Sequence, residues 1–361
     1  MNQATHAVAS TYLEWAKLHS QARYNLASSG IMGYPLSGLT VSIEDLEING
    51  PTVYGYAPLL ERLATMNGVD ATCVVTAQGT AMANHLAMAA MVSPGDDVLV
   101  ERPTYGPMIE VASYLRANIL RFDRHVENDF QIDPDELRGA ITPKTRLIVI
   151  TNFHNPTGVL TNESTMAAIG EIATQAGARV LVDEVYLQML FDQPTRSSVH
   201  LGPQFVATSS LTKAYGLSGL RCGWILAEPQ LTERMWKLND LFGAVSVYAG
   251  ELLSVLALDQ LDKIAARAKK LLDANHAAFE TTLAHRTDLK FADVKHGTIR
   301  FPRLQRGSVD EFCQRLRDQY QTSVVPGRFF EMPAHFRIGL GGNSAVTAQG
   351  LEQVATALDR R

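Results

Sequence analysis

Residues 209–224 read SSLTKAYGLSGLRCGW and place a single lysine, Lys213, among small and hydroxyl-bearing side chains. Arg221 follows eight positions later, and glycines lie at positions 216, 219 and 223. A lysine on a protein surface needs no such surroundings. A lysine that is buried beside a ligand has a lowered pKa and can attack a carbonyl carbon. The stretch therefore predicts a covalent role for Lys213.

Apolar, β-branched runs lie on both sides of this lysine, and they predict the fold. The runs are CVVTA (73–77), DDVLVE (96–101), RLIVITN (146–152), ARVLVDE (178–184), FVATSSL (205–211) and CGWILAE (222–228). Helical patterns lie between several of them, for example at residues 80–92 and 163–177. Strand, helix and strand at this spacing predict an α/β fold, in which a mostly parallel central sheet lies between helices.

The sequence changes character after residue 247. Residues 248–285 are rich in Ala, Leu and Lys and predict a long helix, and short strand patterns and two further helices follow it. A capping box, Ser308 to Glu311, marks the start of one of these helices. We predict an N-terminal arm (1–35) that joins the small domain, a large domain (36–247) and a smaller α+β C-terminal domain (248–361) with an antiparallel sheet.

Composition excludes several classes of function. The 361 residues carry a formal net charge of −5 without a long run of one sign, which does not favour nucleic acid or a membrane surface. The three cysteines are widely spaced and predict neither a zinc site nor a disulfide framework. The N-terminus lacks a signal-peptide pattern, and no apolar run reaches the length of a membrane span. These features predict a cytoplasmic protein.

Ligands of an open parallel sheet bind beyond the carboxyl ends of its strands. The first run is followed by Gly79, Thr80 and a helix, and the free N–H groups and hydroxyl of such a helix start suit a phosphate. A Gly-Thr pair also occurs at ordinary helix starts. Tyr105, in the loop RPTYGP after the next run, could lay its ring on a flat ligand or simply pack the loop.

Two further strand ends carry polar side chains. Asn155 lies in TNFHNPTG, where the following proline restricts it, although Asn-Pro turns are common; we interpret His154 as a loop residue. Asp183 ends an apolar run, where an ionised carboxylate is costly unless a cation pairs with it. Tyr186 follows three residues later, close enough to contact the same ligand.

The motifs NPTG (155–158), DEVY (183–186) and SLTKAYGLSGLRCGW (210–224), in this order and spacing, resemble the class I/II pyridoxal-phosphate aminotransferases of fold type I, the aspartate aminotransferase superfamily. The resemblance covers nearly the whole chain, including YGYAPLLERLA (54–64) and FRIGLGG (336–342). It implies pyridoxal 5'-phosphate (PLP) as cofactor, an amino acid and a 2-oxo acid as substrates, and a homodimer with shared active sites. It implies no metal.

The resemblance also implies roles for individual residues. Lys213 would bind the cofactor covalently and move the α-proton, Asp183 would pair with the pyridine nitrogen, and Tyr105 would stack on the ring. The other implied roles are contacts with the ring hydroxyl (Asn155, Tyr186), with the phosphate (Gly79, Thr80, Ser210, Arg221), with the phosphate of the neighbouring subunit (Tyr54), and with the substrate (Arg337 at its carboxylate, Asn155, Gly30).

Some positions depart from the family pattern. Thr212 stands where serine is frequent before the lysine, and Gln78 replaces a smaller residue. The segment NLASSGIMGY (25–34) fits only loosely the glycine-bearing segment that covers the substrate, so Ser29 and Gly30 are candidates there.

The predicted function is transfer of the amino group of an L-amino acid to a 2-oxo acid by a ping-pong mechanism. The same site can support elimination, cyclisation or decarboxylation, so a PLP-dependent lyase, cyclase or decarboxylase remains the alternative. A ligand-sensing regulator is disfavoured, because the chain offers no spare length or basic helix for a DNA-binding domain.

Overall fold

The computed structural model describes residues 9–360; residues 1–8 of the predicted N-terminal arm and residue 361 lie outside the described residues. The strands are β1 (Tyr24–Asn25), β2 (Val74–Gln78), β3 (Asp97–Arg102), β4 (Asn118–Asp123), β5 (Thr145–Thr151), β6 (Arg179–Asp183), β7 (Phe205–Ser210), β8 (Cys222–Leu226), β9 (Leu289–Lys290), β10 (Ile299–Arg300), β11 (Arg303–Leu304), β12 (Thr322–Ser323), β13 (Val325–Pro326) and β14 (Phe336–Gly339). The α-helices are α1 (Thr11–Leu18), α2 (Ala57–Asn67), α3 (Gly79–Met91), α4 (Gly106–Tyr114), α5 (Pro134–Ala140), α6 (Glu163–Ala176), α7 (Leu211–Tyr215), α8 (Pro229–Asn239), α9 (Tyr248–Leu258), α10 (Leu261–Thr282), α11 (Val309–Tyr320) and α12 (Ser344–Asp359).

Seven strands in the described part of the chain form the central sheet, in the order β2-β8-β7-β6-β5-β3-β4. All neighbours are parallel except that β8 runs antiparallel to both β2 and β7. The prediction of an α/β fold with a mostly parallel central sheet is confirmed. The edge strand β4 was not among the predicted runs, because polar residues at three of its six positions, NILRFD, interrupt the apolar pattern.

The central strands are buried on both faces, which explains their continuous apolar sequences. Side chains alternate between the two faces of a strand. Leu181 therefore packs into the core on one side of the sheet, and Val180 and Val182 pack into the core on the other side. All three are fully buried.

Capping residues mark the ends of several helices. Asn162 accepts a hydrogen bond of 2.8 Å from the backbone N–H of Thr165 at the start of α6, and Gly177 ends that helix in a left-handed conformation. The predicted start of α11 is confirmed, since the Ser308 side chain accepts a hydrogen bond of 3.3 Å from the N–H of Glu311.

The C-terminal part contains short strands and long helices. The region predicted as one long helix forms two, α9 and α10, which are interrupted at residues 259–260. Antiparallel pairing joins β10, β14 and β13, and also β9 and β11, whereas β1 pairs in parallel with β12 and brings the N-terminal segment to this part. The domain boundaries given above stay predictions. Among the described residues, no helix combines the length and apolarity that crossing a membrane requires.

Candidate active site

A cleft of about 470 Å³ lies at the carboxyl ends of the central parallel strands. The register aligns Thr151 of β5 with Asp183 of β6, and Asp183 with Thr208 of β7, so polar side chains from three strands meet at one edge. The predicted site residues that line the cleft are Ser29, Thr80, Tyr105, Asn155, Asp183, Tyr186, Ser210, Lys213 and Arg221, whereas Gly30, Tyr54, Gly79 and Arg337 are not among the lining residues.

Lys213 lies in the short helix α7, immediately after β7, with its side chain half-buried in the cleft. Its Nζ donates a hydrogen bond of 3.0 Å to Ser29 Oγ. Burial lowers the pKa of Lys213 to about 8, and the positive charge of Arg337 also lowers it. The carboxylate of Asp183 opposes this shift. A fraction of this amine is therefore neutral and nucleophilic near neutral pH.

Asp183 ends β6 with its carboxylate buried beneath the cleft. Oδ2 accepts a hydrogen bond of 2.9 Å from Asn84 Nδ2, and Oδ1 accepts one of 3.0 Å from the N–H of Val185. Thr208 in turn donates its hydroxyl hydrogen to Asn84 Oδ1. Burial raises the pKa of Asp183 to about 6, although the bond from Asn84 opposes the shift. Neutral donors hold this carboxylate, which favours a cationic group of a ligand as its further partner.

Asn155, which lines the cleft, contacts Arg337, which is fully buried behind it and is not among the lining residues. Arg337 NH1 donates a hydrogen bond of 2.8 Å to Asn155 Oδ1, and its NH2 donates to the Tyr12 hydroxyl at 2.7 Å and to the Ala27 carbonyl at 3.1 Å. The Arg337 side chain is completely buried, its guanidinium lies 5.0 Å from the ring centroid of Phe330, and its Nε has no partner among the described residues. A buried guanidinium without a carboxylate partner suits an anionic group of a ligand.

Two tyrosines line the cleft on either side of the strand ends. Tyr186 is buried, and this burial raises the pKa of its phenol to about 12, which keeps it protonated as a hydrogen-bond donor. Tyr105 stands just before α4 and contacts the ring of Tyr12 edge-on, with ring centroids 5.6 Å apart. Tyr105 thus lines the cleft, and its contact with a flat ligand stays a prediction.

The residues that were predicted to bind a phosphate lie together at the start of α3. Thr80 Oγ1 donates a hydrogen bond of 2.8 Å to Ser210 Oγ, and Arg221 NH2 donates one of 3.0 Å to the carbonyl of Gln78. Gly79 has φ +78°, and a Cβ atom there would stand 2.3 Å from Arg221 NH2. Glycine is thus required for both the backbone conformation and the close approach of the guanidinium.

Gly30 and Ser29 pack against Lys213, although Gly30 does not line the cleft. A Cβ atom on Gly30 would stand 3.1 Å from Lys213 Cδ, and the N–H of Ile31 donates a hydrogen bond of 2.8 Å to the Lys213 carbonyl. The N-terminal segment therefore forms one wall of the lysine site.

Tyr54 lies away from the cleft of its own chain. Its side chain is 46% exposed, and its hydroxyl lies 3.4 Å from Asp240 Oδ2. A second cavity of about 360 Å³, lined by Gln78, Arg221 and residues 239–254 among others, opens on the other side of Arg221. The predicted contact of Tyr54 with a neighbouring subunit is compatible with this exposure and stays a prediction.

Sequence reasoning missed three residues of the site. Asn84 could have been found, because it lies four residues after Thr80 on α3 and positions i and i+4 share a helix face. Thr151 ends the strand before Asn155, but its role depends on partners distant in sequence. Tyr12 has no sequence signal, since its contact with Arg337 spans 325 residues.

The side chains of the cleft fit PLP. Asp183 can receive a pyridinium, Lys213 an aldehyde, and Tyr186 and Asn155 a ring hydroxyl. At the start of α3, the absence of a side chain at Gly79 lets the Arg221 guanidinium approach the hydroxyls of Thr80 and Ser210, and such a group of donors suits a phosphate.

Comparison with known proteins agrees with this fit. The family model "Aminotransferase class I and II" matches residues 48–358, and the chain therefore belongs to that family. Capreomycidine synthase of Streptomyces vinaceus is 26% identical over 353 residues, which cover 94% of this chain and 90% of that protein. The probable N-succinyldiaminopimelate aminotransferase DapC of Mycobacterium tuberculosis is 29% identical over 299 residues, or 78% of this chain and 74% of the relative.

A solved structure shows the same arrangement. The PLP-dependent aminotransferase from Streptococcus suis 89-1591 superimposes with a TM-score of 0.90 at 25% identity, and the match covers 97% of each chain. The predictions of family, fold type I, PLP-dependent enzyme class and PLP as cofactor are confirmed. The roles given to individual residues stay predictions.

Proposed function

We propose that this enzyme transfers the amino group of an L-amino acid to a 2-oxo acid by a ping-pong mechanism. One observation carries the proposal: Lys213, with a pKa lowered to about 8, shares a cleft with Asp183 and lies near the buried guanidinium of Arg337. An amine that can move a proton, an acid that can hold one and a receptor for a carboxylate are the groups that this reaction requires.

The cofactor supplies a conjugated ring that takes up the electrons released when the Cα–H bond of an amino acid breaks. Lys213 Nζ, once neutral, accepts the α-proton and later returns it. Asp183 holds a proton on the ring nitrogen. The carboxylate does this best in its ionised form, which a cationic partner favours by lowering its pKa.

Arg337 binds the substrate α-carboxylate. Its NH1 is oriented by Asn155 and its NH2 by Tyr12, and its buried Nε has no partner among the described residues. A fixed guanidinium holds a carboxylate with directional hydrogen bonds and thereby orients the Cα–H bond. Gly30 lies against Lys213 and keeps space for the substrate.

The remaining residues hold the cofactor. Asn155 and Tyr186 would bind the ring hydroxyl of the cofactor, and Tyr105 would stack on its ring. Four residues bind the phosphate through backbone N–H groups, hydroxyls and a guanidinium: Gly79, Thr80, Ser210 and Arg221.

We also propose a homodimer with shared active sites. Exposed apolar side chains lie in two segments of the sequence: Leu36, Ile43, Ile48 and Val53 in one, which ends next to Tyr54, and Leu241, Phe242, Val245 and Val247 in the other, of which the last three line the second cavity. Apolar surface of this extent favours association. Sedimentation of Val245→Asp should show weakened association, whereas Leu18→Asp, at an exposed position on α1, should sediment as the unmodified protein does.

The free cysteines Cys73, Cys222 and Cys313 are consistent with a reducing compartment, and we retain the cytoplasm as the proposed location.

A PLP-dependent cyclase is the second candidate. The Streptomyces relative that covers most of this chain is named a synthase, not an aminotransferase. The same proton-moving groups can serve elimination or cyclisation, so the relationship keeps this function open.

A product-resolved assay tests the proposal. Purified enzyme is incubated with each common L-amino acid, with and without pyruvate or 2-oxoglutarate, and both products are quantified together with ammonia. Formation of a new amino acid that depends on the 2-oxo acid supports aminotransfer. Ammonia release or a cyclic product without dependence on the acceptor would replace the proposal with the lyase or cyclase function.

A further inference from the structure

A buried ion pair lies behind the cleft, outside the residues assigned above. Arg124 NH1 lies 2.9 Å from Glu101 Oε2, and both side chains are 0% exposed. Arg124 also donates a hydrogen bond of 2.6 Å to the Phe130 carbonyl and one of 2.9 Å to Thr161 Oγ1. These neighbours fix the guanidinium, which in turn fixes one oxygen of the Glu101 carboxylate.

The other carboxylate oxygen of Glu101 faces the end of β5. Oε1 accepts a hydrogen bond of 2.7 Å from the N–H of Thr151 and one of 2.8 Å from its hydroxyl. An ionised carboxylate can only accept hydrogen bonds. The single hydroxyl hydrogen of Thr151 is therefore directed toward Glu101, and the lone pairs of that oxygen point elsewhere.

The Thr151 hydroxyl oxygen accepts a hydrogen bond of 3.0 Å from the backbone N–H of Asn155. Asn155 Oδ1 then accepts the bond of 2.8 Å from Arg337 NH1. Glu101, Thr151, Asn155 and Arg337 are all buried, so the bonds that join them do not compete with bulk water.

A buried ion pair is weak evidence for stability, because desolvation of both charges offsets their attraction. The direction of the hydrogen bonds gives this pair another role. Burial raises the pKa of Glu101 to about 7, and the charge of Arg124 and the Thr151 donors oppose this shift. Both carboxylate oxygens accept hydrogen bonds from these donors, which favours the ionised form, and this form sets the orientation of the Thr151 hydroxyl on which Asn155 depends.

We propose that the Glu101–Arg124 pair and the Thr151 hydroxyl form a positioning relay that fixes Asn155 and, through it, the carboxylate-binding guanidinium of Arg337. Thr151 is a positioning residue in this relay and does not itself bind the substrate carboxylate. The inference rests on the proposed function, which makes Arg337 the receptor for the substrate carboxylate.

Two replacements of Thr151 distinguish the contribution of its hydroxyl from that of the shape of its side chain. Thr151→Val keeps the shape and loses the hydroxyl, whereas Thr151→Ser keeps the hydroxyl.

The measurements are KM and kcat for the amino acid that gives the highest activity, the dissociation constant of propanoate as a simple carboxylate probe, the Tm, and the cofactor absorbance. Because one buried hydrogen bond is lost, we expect Thr151→Val to raise KM and the propanoate dissociation constant about three- to ten-fold, with a smaller change in kcat. Thr151→Ser should restore both values.

Arg337→Lys, measured in parallel, distinguishes this relay from the assignment on which it rests. If Arg337→Lys leaves KM and propanoate binding unchanged, the carboxylate receptor itself is misplaced. If Arg337→Lys weakens both while Thr151→Val lowers only the Tm, or if the Val and Ser variants are equally impaired, the relay is overturned.

Glu101→Gln gives a second test should Thr151→Val fail to fold. Glutamine retains an acceptor but no longer fixes the orientation of the Thr151 hydroxyl. KM and the propanoate dissociation constant should therefore rise, as they do for Thr151→Val. Glu184→Gln is the matched control: Glu184 is equally buried and accepts a hydrogen bond of 2.7 Å from the N–H of Ser198, but it lies outside the relay. The relay is contradicted if both glutamine variants raise KM equally, or if neither changes it.

Discussion

Ser29 Oγ accepts a hydrogen bond of 3.0 Å from Lys213 Nζ, although the two residues are 184 positions apart. The carbonyl of the same serine accepts a bond of 2.7 Å from Thr298 Oγ1. The lysine that sequence reasoning singled out is thus oriented by the N-terminal segment, which is itself held by the C-terminal part of the chain.

The reactivity of Lys213 should depend on pH in the cofactor-free protein. The neutral amine is the nucleophile, and its lowered pKa of about 8 means that the reactive fraction grows as the pH rises through this value. We expect the rate of covalent PLP capture, followed by absorbance, to increase between pH 7 and 9 and then level off. Borohydride should fix the cofactor on Lys213, and Lys213→Ala should lose both the adduct and turnover. A reduced adduct on another lysine would refute the assignment.

Asp183→Asn should slow catalysis but leave covalent cofactor binding intact. The variant loses the negative charge that holds a proton on the ring nitrogen, so α-proton removal slows, and deuterium at the substrate Cα should give a larger isotope effect than in the unmodified enzyme. Covalent cofactor binding at Lys213 should persist. Near-full activity would show that Asp183 has only a structural role.

The same substitution has a pH signature in the cofactor-free protein. The folded-state pKa of Asp183, about 6, lies above the ordinary value of 3.8. The stabilisation from this group is therefore complete below the ordinary value and is lost as the pH rises through about 6. The Tm of the unmodified protein should fall relative to that of Asp183→Asn between pH 4 and pH 7. Parallel Tm curves would contradict the raised pKa.

Gly79→Ala should weaken PLP binding through a steric contact. The new Cβ would stand 2.3 Å from Arg221 NH2 and displace the guanidinium from the phosphate side of the cleft. Gly95→Ala is a matched control, because Gly95 also has a positive φ, +89°, but nothing lies within 4 Å of its Cβ position. Both variants carry the cost of an unfavourable backbone conformation, and only Gly79→Ala should raise the PLP dissociation constant measured by equilibrium dialysis. Equal PLP affinities would place the phosphate elsewhere.

Tyr12→Phe should impair substrate binding more than cofactor binding. The hydroxyl that accepts the 2.7 Å bond from Arg337 NH2 is lost, and a hydrogen bond to a charged group contributes about 1.5–3 kcal/mol. We expect KM for the amino acid to rise about ten-fold or more on that basis, with unchanged cofactor absorbance. Tyr24→Phe, at a tyrosine whose ring lies beside Arg23, serves as the control and should leave KM as it is. A similar KM for both variants would mean that Tyr12 does not orient Arg337.

The sequence predicted the central sheet because its strands are buried on both faces and therefore read as apolar runs. It did not predict β4, whose edge position leaves residues such as Asn118 exposed. The residues that follow strand ends, Asp183 and Lys213 among them, were found because parallel strands bring their carboxyl ends together.

Residues that reach the cleft from elsewhere were harder to predict. Tyr12 contacts Arg337 although the two residues are 325 positions apart. This contact depends on the packing of α1 against α4. No local sequence pattern encodes that packing. Glu101 lies within a predicted strand, yet its bond to Thr151 depends on how β3 and β5 align in the sheet.

The segment from Leu26 to Met32 connects distant parts of the chain through backbone hydrogen bonds. The Leu26 carbonyl accepts a bond of 2.7 Å from the N–H of Gly339, and the N–H of Met32 donates one of 2.7 Å to the Gly341 carbonyl. During synthesis on the ribosome, residues 26–32 emerge about 300 positions before their partners, Gly339 and Gly341. A nascent chain can therefore form its central sheet before the wall around Lys213 exists, and cofactor capture should be a late event that follows the emergence of residues 339–341.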